Sequence, residues 1–161
     1  MTERVTIRPL AATDDPLLAA ATLDNLNWSE QRFTMHDVRE RSHFRHYTQV
    51  VDTRGDFGVV AEHEGQPLGV AWALFLPADD PGYGFVDEST PEISLWVREG
   101  FRGQGVGRAL LQALQQEAKD RGVARLSLSV ETGNDAERLY ATEGFRPVSG
   151  HEEDGVMVWA P

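Results

Sequence analysis

The stretch from Glu92 to Arg121 constrains this chain more than any other. Glu92-Ile93-Ser94-Leu95-Trp96-Val97 reads as a buried strand. It runs into a loop with glycines at 103, 105 and 107, and that loop opens directly onto an amphipathic helix. The helix is expected from about Gly105 to Arg121. Val106, Ala109, Leu110, Ala113, Leu114 and Ala118 recur at helical spacing, with Gln112, Gln115, Gln116 and Lys119 off the stripe. Gly122 follows as a C-terminal cap. Glycines let backbone amides turn inward with no Cβ in the way. A helix start adds unpaired N–H groups and the positive end of the helix dipole. Together they make a seat for a phosphate or diphosphate. On the loop alone, a plain turn joining strand to helix is an equal reading. The dinucleotide fingerprint fails, because its third glycine would fall at Arg108, and no Gly-Lys-Ser/Thr phosphate loop occurs anywhere.

The flanking pattern is mixed. Val5 and Ile7 alternate with Thr6 and Arg8 as a strand ending near Pro9. Asp15 followed by Pro16 marks a helix start, and Thr34 with Asp37 marks a second, running through Val38 to Phe44. Phe57–Ala61 and Leu68–Leu76 flank Glu64-Gly65-Gln66-Pro67 as a hairpin, and a loop of prolines, glycines and acids fills 77–91. After the long helix come a strand at 126–130, a short helix from Ala136 to Glu143 closed by Gly144, and a last strand from Val156 to Trp159. The fold class is therefore α/β with a mixed sheet. At 161 residues without repeat or linker, the expected organisation is one domain spanning 1–161.

Composition removes whole classes of chemistry. There is no cysteine, so disulfide frameworks, thiolate nucleophiles and Cys-bound metals are excluded. Acids outnumber Lys and Arg by 26 to 15, a net charge of -11 that opposes binding to nucleic-acid phosphates and leans toward cationic acceptors. Lys119 is the only lysine, on an expected exposed helix face. The N-terminus, MTERVTIRPL, lacks an apolar leader core, and no stretch nears the roughly 20 apolar residues of a membrane span. The expectation is a cytoplasmic protein without membrane or nucleic-acid partners.

Arg102-Gly103-Gln104-Gly105-Val106-Gly107 matches Arg/Gln-x-x-Gly-x-Gly/Ala, preceded by the strand ending at Val97. Downstream, Asn134-Asp135-Ala136-Glu137-Arg138-Leu139-Tyr140 is followed by Glu143-Gly144-Phe145. These two stretches resemble the acetyl-CoA-binding motif and the second signature of the GCN5-related N-acetyltransferase (GNAT) family. The resemblance covers residues 92 to 146, about a third of the chain. It implies a central, mostly antiparallel sheet flanked by helices. Acetyl-CoA is the implied cosubstrate, with no metal. The strands at 92–97 and 126–130 would splay apart to admit the pantetheine arm, and the diphosphate would sit on the amides from Arg102 through Arg108 (Arg102, Gly103, Gln104, Gly105, Val106, Gly107, Arg108). Trp96 and Val97 would contact the cofactor, and the Val97 N–H would hold the thioester oxygen. Asn134 would contact the arm, and Tyr140 would protonate the leaving thiolate. Glu92 is the first choice of general base, with Glu131 second and an ordered water third.

The implied reaction moves acetyl from acetyl-CoA directly to a primary amine of a small molecule or peptide. Two alternatives stay open: an idle CoA-binding or sensory module, and a transferase using another acyl-CoA or a protein N-terminus. A nucleotide-phosphate binder is a third. Relatives often pair, so a homodimer is the implied assembly. His36, His43 and His46 lack the carboxylate or cysteine companions of a metal site, and no Gly-x-Ser-x-Gly elbow is present. Trp28, Phe33, Phe44 and Tyr47 are expected in the core or lining a groove. Asp87 and Glu88, in the 77–91 loop, are candidates for attracting a cationic amine.

Overall fold

The computed structural model describes residues 5–161. Residues 1–4, the start of the N-terminal stretch read above, lie outside the described residues. Seven strands form one sheet: β1 (Thr6–Pro9), β2 (Phe57–His63), β3 (Gln66–Leu74), β4 (Glu92–Val97), β5 (Leu126–Ser129), β6 (Arg146–Pro147) and β7 (Val156–Trp159). Their order is β1-β2-β3-β4-β5-β7-β6. Every neighbouring pair is antiparallel except β4 and β5, which run parallel.

Period-two alternation sends the side chains of the central strands β2, β3 and β4 to two separate cores. Val59, Ala71 and Ala73 pack with Leu110, Leu114 and Phe145. That is the face of α4 (Val106–Asp120) and α5 (Ala136–Thr142). Val60, Val70 and Trp72 pack with Leu18, Ala21 and Tyr47 on the other face, below α1 (Asp15–Leu26). Because β3 is covered on both sides, Leu68 to Leu74 reads as an unbroken apolar run.

Several local expectations change. Asp15 lies inside α1; Asp14 stands at its boundary, and its carboxylate takes Arg8 at 2.9 Å and the Ala11 N–H at 2.8 Å instead of capping the helix. Thr34 and Asp37 do form the reciprocal capping box. The helix they start is broken into α2 (Met35–Glu40) and α3 (Ser42–Arg45) by an extended Arg41. Val38 and Phe44 are both buried. Six residues apart, a continuous helix would turn them to different faces, roughly 120° from each other. Gln115 is buried rather than off the stripe, donating to the Glu143 carbonyl at 2.9 Å and tying α4 to the end of α5. Trp28 is exposed, whereas Phe44 and Tyr47 are core. No helix among the described residues is long and apolar enough to cross a membrane.

Candidate active site

α4 begins at Val106, and Gly105 precedes it with φ 86°. Gly103 is also left-handed, at φ 76°. Both conformations are costly for any residue with a Cβ. Ala109 donates the first helical bond, to Gly105 at 3.0 Å. Among the described residues, no backbone N–H from Arg102 through Arg108 makes a well-formed hydrogen bond to a protein acceptor. A Cβ added at Gly103 or Gly105 would meet nothing within 4 Å, so both positions face open space. Arg102 bonds the Val97 carbonyl at 3.0 Å and Asp24 at 3.0 Å. Gln104 bonds back to Gly100 at 3.2 Å, and Arg108 pairs with Glu143 at 3.2 Å. The side chains of this loop therefore brace it and leave its amides free.

The edge of β4 supplies more free donors. Arg98 N–H bonds the Leu68 carbonyl at 2.7 Å, which fixes the alternation against β3. Trp96 then spends its backbone on Val70, while Leu95 and Val97 turn theirs toward β5. There the ladder stops after a single pair, Glu92 with Ser127. The Leu95 and Val97 N–H groups thus face a splayed gap, and side chains take only their carbonyls, Asn25 on Leu95 at 3.1 Å and Arg102 on Val97. The Trp96 indole points to the α1 face and donates to Asp24 at 2.7 Å. A groove of about 700 Å³ lies on that face, lined in part by Leu23, Asp24, Phe33, Met35, Trp96 and Glu99.

Glu92, at the start of β4, is only 5% exposed. The Tyr47 hydroxyl donates to its Oε2 at 2.6 Å and itself accepts the Tyr83 N–H at 2.9 Å. Oε1 is buried and makes no well-formed hydrogen bond. Burial raises the carboxyl to about 7, against the opposite pull of the Tyr47 bond and the nearby Gly84 amide. Glu131 is the contrary case. Arg32 pairs with it at 2.9 Å and holds it below the usual carboxylate range.

Tyr140 lies on α5 at 8% exposure, its ring 5.9 Å from that of Phe145. Burial pushes its phenol up to about 12, and its hydroxyl makes no hydrogen bond among the described residues. Asn134 uses Oδ1 to accept the Ala136 N–H at 3.0 Å, steadying the start of α5. The residues missed from sequence are Tyr47, Asp24 and Gly82. Asp24 anchors both Trp96 and Arg102, 72 and 78 positions away, and no local signal announces it. Asp87 and Glu88 are engaged within the fold, the first with Arg125 and the second with the Ala78 N–H at 2.8 Å. Among the described residues no cluster of three or more His, Cys, Asp or Glu could hold a metal.

A strand splayed at its edge, feeding a loop of unpaired amides at a helix start, occurs with a sequence match over residues 20–145 to the acetyltransferase (GNAT) family model. The chain belongs to the GNAT acetyltransferase family. It is 31% identical over 142 residues to a mycothiol acetyltransferase of Jonesia denitrificans, covering 86% of this chain and 42% of that protein. Across the curated relatives it matches, the chain spans about a quarter to a little over half of their length. A ribosomal-protein-alanine N-acetyltransferase structure from Brucella melitensis superposes at TM-score 0.64 and 26% identity, covering 97% of this chain and 99% of that one. The PaiA N-acetyltransferase of Thermoplasma acidophilum, solved with coenzyme A, superposes at TM-score 0.69 and 14% identity over 98% and 99% of the two chains. The chain has the family's mostly antiparallel sheet flanked by helices.

Proposed function

We propose that the protein transfers the acetyl group of acetyl-CoA directly to a primary amine. The observation that carries this reading is the run of unpaired amides from Arg102 through Arg108, continuous with the free N–H groups of β4. A diphosphate on those amides meets a helix N-terminus and needs no metal. The pantetheine arm lies in the gap between β4 and β5, with the Asn134 side-chain nitrogen toward it. The thioester oxygen takes an N–H at the β4 edge, where developing negative charge gains most from a fixed donor. Val97 is the donor implied by the family resemblance, and the geometry adds Leu95. Leu95 stands three residues from Glu92, roughly 10 Å of extended chain, a span that suits a water between base and amine.

An alkylamine is largely protonated at neutral pH and attacks only as the free base. Glu92, poised at about 7, takes that proton through the water. The amine nitrogen bonds to the thioester carbon, the C–S bond breaks, and Tyr140 gives its proton to the departing thiolate. A phenol held up to about 12 stays protonated until that moment. Both small-molecule and protein acetyltransferases stand among the similar proteins, and the acceptor is a primary amine of a small molecule or peptide.

The test is release of free thiol from acetyl-CoA with a panel of polyamines, aminoglycosides, amino acids and peptides, with products identified by mass spectrometry. Turnover with at least one amine, lost in Glu92→Gln and Tyr140→Phe, is expected. Coenzyme A binding without turnover on any amine would favour an idle sensory module.

A further inference from the structure

Two elements far apart in sequence close over the Glu92 carboxyl. From the segment after α3 comes Tyr47, buried and hydrogen-bonded to Oε2. From the 77–91 loop comes the Gly82–Tyr83 turn, whose Tyr83 N–H bonds the same phenol oxygen. Gly82 lies so close that an added Cβ would overlap both Glu92 Oε1 and the Tyr47 hydroxyl. The turn can lie here only without a side chain. We propose that Tyr47 and Gly82 are positioning residues for the base: the phenol fixes Oε2, and the bare glycine lets the turn pack against Oε1 without displacing it.

This rests on the reading of Glu92 as the base. The Tyr47 hydroxyl has one hydrogen, and Tyr83 N–H occupies one of its lone pairs, so its donor is committed to Glu92. Oε2 is thereby engaged, and Oε1 keeps its proton-accepting capacity. The other titratable groups nearby belong to elements packed behind the pair. The Tyr83 phenol is 56% exposed and turned toward Arg32, Arg41 and Glu131. The His46 ring stacks edge-on to Tyr47 at 4.4 Å and is held neutral by burial, its Nδ1 3.0 Å from Asp80. None of them competes for the carboxylate itself.

The experiment is a carbon NMR titration of protein labelled at glutamate side-chain carboxyls, with the Glu92 signal assigned by its loss in Glu92→Gln. Removing a hydrogen bond to a charged group should move the Glu92 midpoint up in Tyr47→Phe by about one pH unit or more. Gly82→Ala should move the Glu92 carboxyl resonance and its midpoint while heat of coenzyme A binding stays at the wild-type value. Gly82→Ala also serves should Tyr47→Phe not fold. An unmoved Glu92 signal and midpoint in the folded variants would overturn the positioning role. Retained amine acetylation in Glu92→Gln would instead overturn the base assignment, and the two failures are read in different measurements.

Discussion

Two side chains in this site have their proton affinity set by burial, and the shifts suit opposite tasks. Glu92 is raised to about 7, so half of it is ionised near neutrality and ready to accept a proton. Tyr140 is raised to about 12, so it stays protonated near neutrality and can offer its O–H to a departing sulfur. Glu92→Gln should lower kcat/KM about 100-fold and remove the acid limb near pH 7 from its pH profile. Tyr140→Phe should lower kcat by a similar factor of about 100 while coenzyme A binding, measured by calorimetry, is unchanged. Both residues are candidates from the sequence, Glu92 as a carboxylate at a strand start and Tyr140 by its place in the second motif. Tyr47 is not one. Its partner is 45 positions away, and a tyrosine after a short helix reads as ordinary core until the two chains are seen in contact.

At the scale of elements, the unit that matters is β4, its loop and α4. Gly105 at φ 86° sets the last amides before the helix, so Gly105→Ala should cost about 1 kcal/mol of stability. The same change should weaken coenzyme A binding by more than it lowers the melting temperature. Gly69 faces Leu110 and the Trp96 carbonyl with an added Cβ at 2.8 Å from each, so Gly69→Val should push β3 away from α4 and destabilise the fold, checked by thermal melting. The apolar stripe of α4 was legible because its apolar residues, from Val106 to Ala118, recur at one period over more than three turns. Gln115 broke that pattern silently, since a glutamine becomes core only where a carbonyl waits for it. The break at Arg41 and the two-residue β6 were likewise hidden. The first is imposed by where Val38 and Phe44 must point, and the second exists only because β7 lies alongside it.

For the molecule as a whole, the buried carboxyl makes stability depend on pH in a stated direction. Between about 4.5 and 7 the folded chain keeps the Glu92 proton that the unfolded chain has released. Fewer protons bound in the unfolded state means stability falls as pH rises through this window, and the loss is complete above it. Glu92→Gln should therefore melt at a higher temperature than wild type at pH 8, with the gap closing toward pH 4 in thermal melts. The net charge of -11 told against nucleic-acid phosphate as a ligand, and local arrangement decides the rest. Asp87 and Glu88 spend their charge on Arg125 and a backbone amide, which composition alone does not disclose. What was legible at this scale was the class of sheet and the place of the glycine loop within it. The splay of β4 from β5 is what the family resemblance implied, and the register of their single pair, Glu92 with Ser127, emerges only when the strands are assembled. The most direct measurement is titration calorimetry of the wild-type protein with coenzyme A near neutral pH. One-to-one binding at roughly micromolar affinity, weakened in Gly105→Ala, is the expected result; absence of heat from a protein that circular dichroism shows to be folded would contradict it.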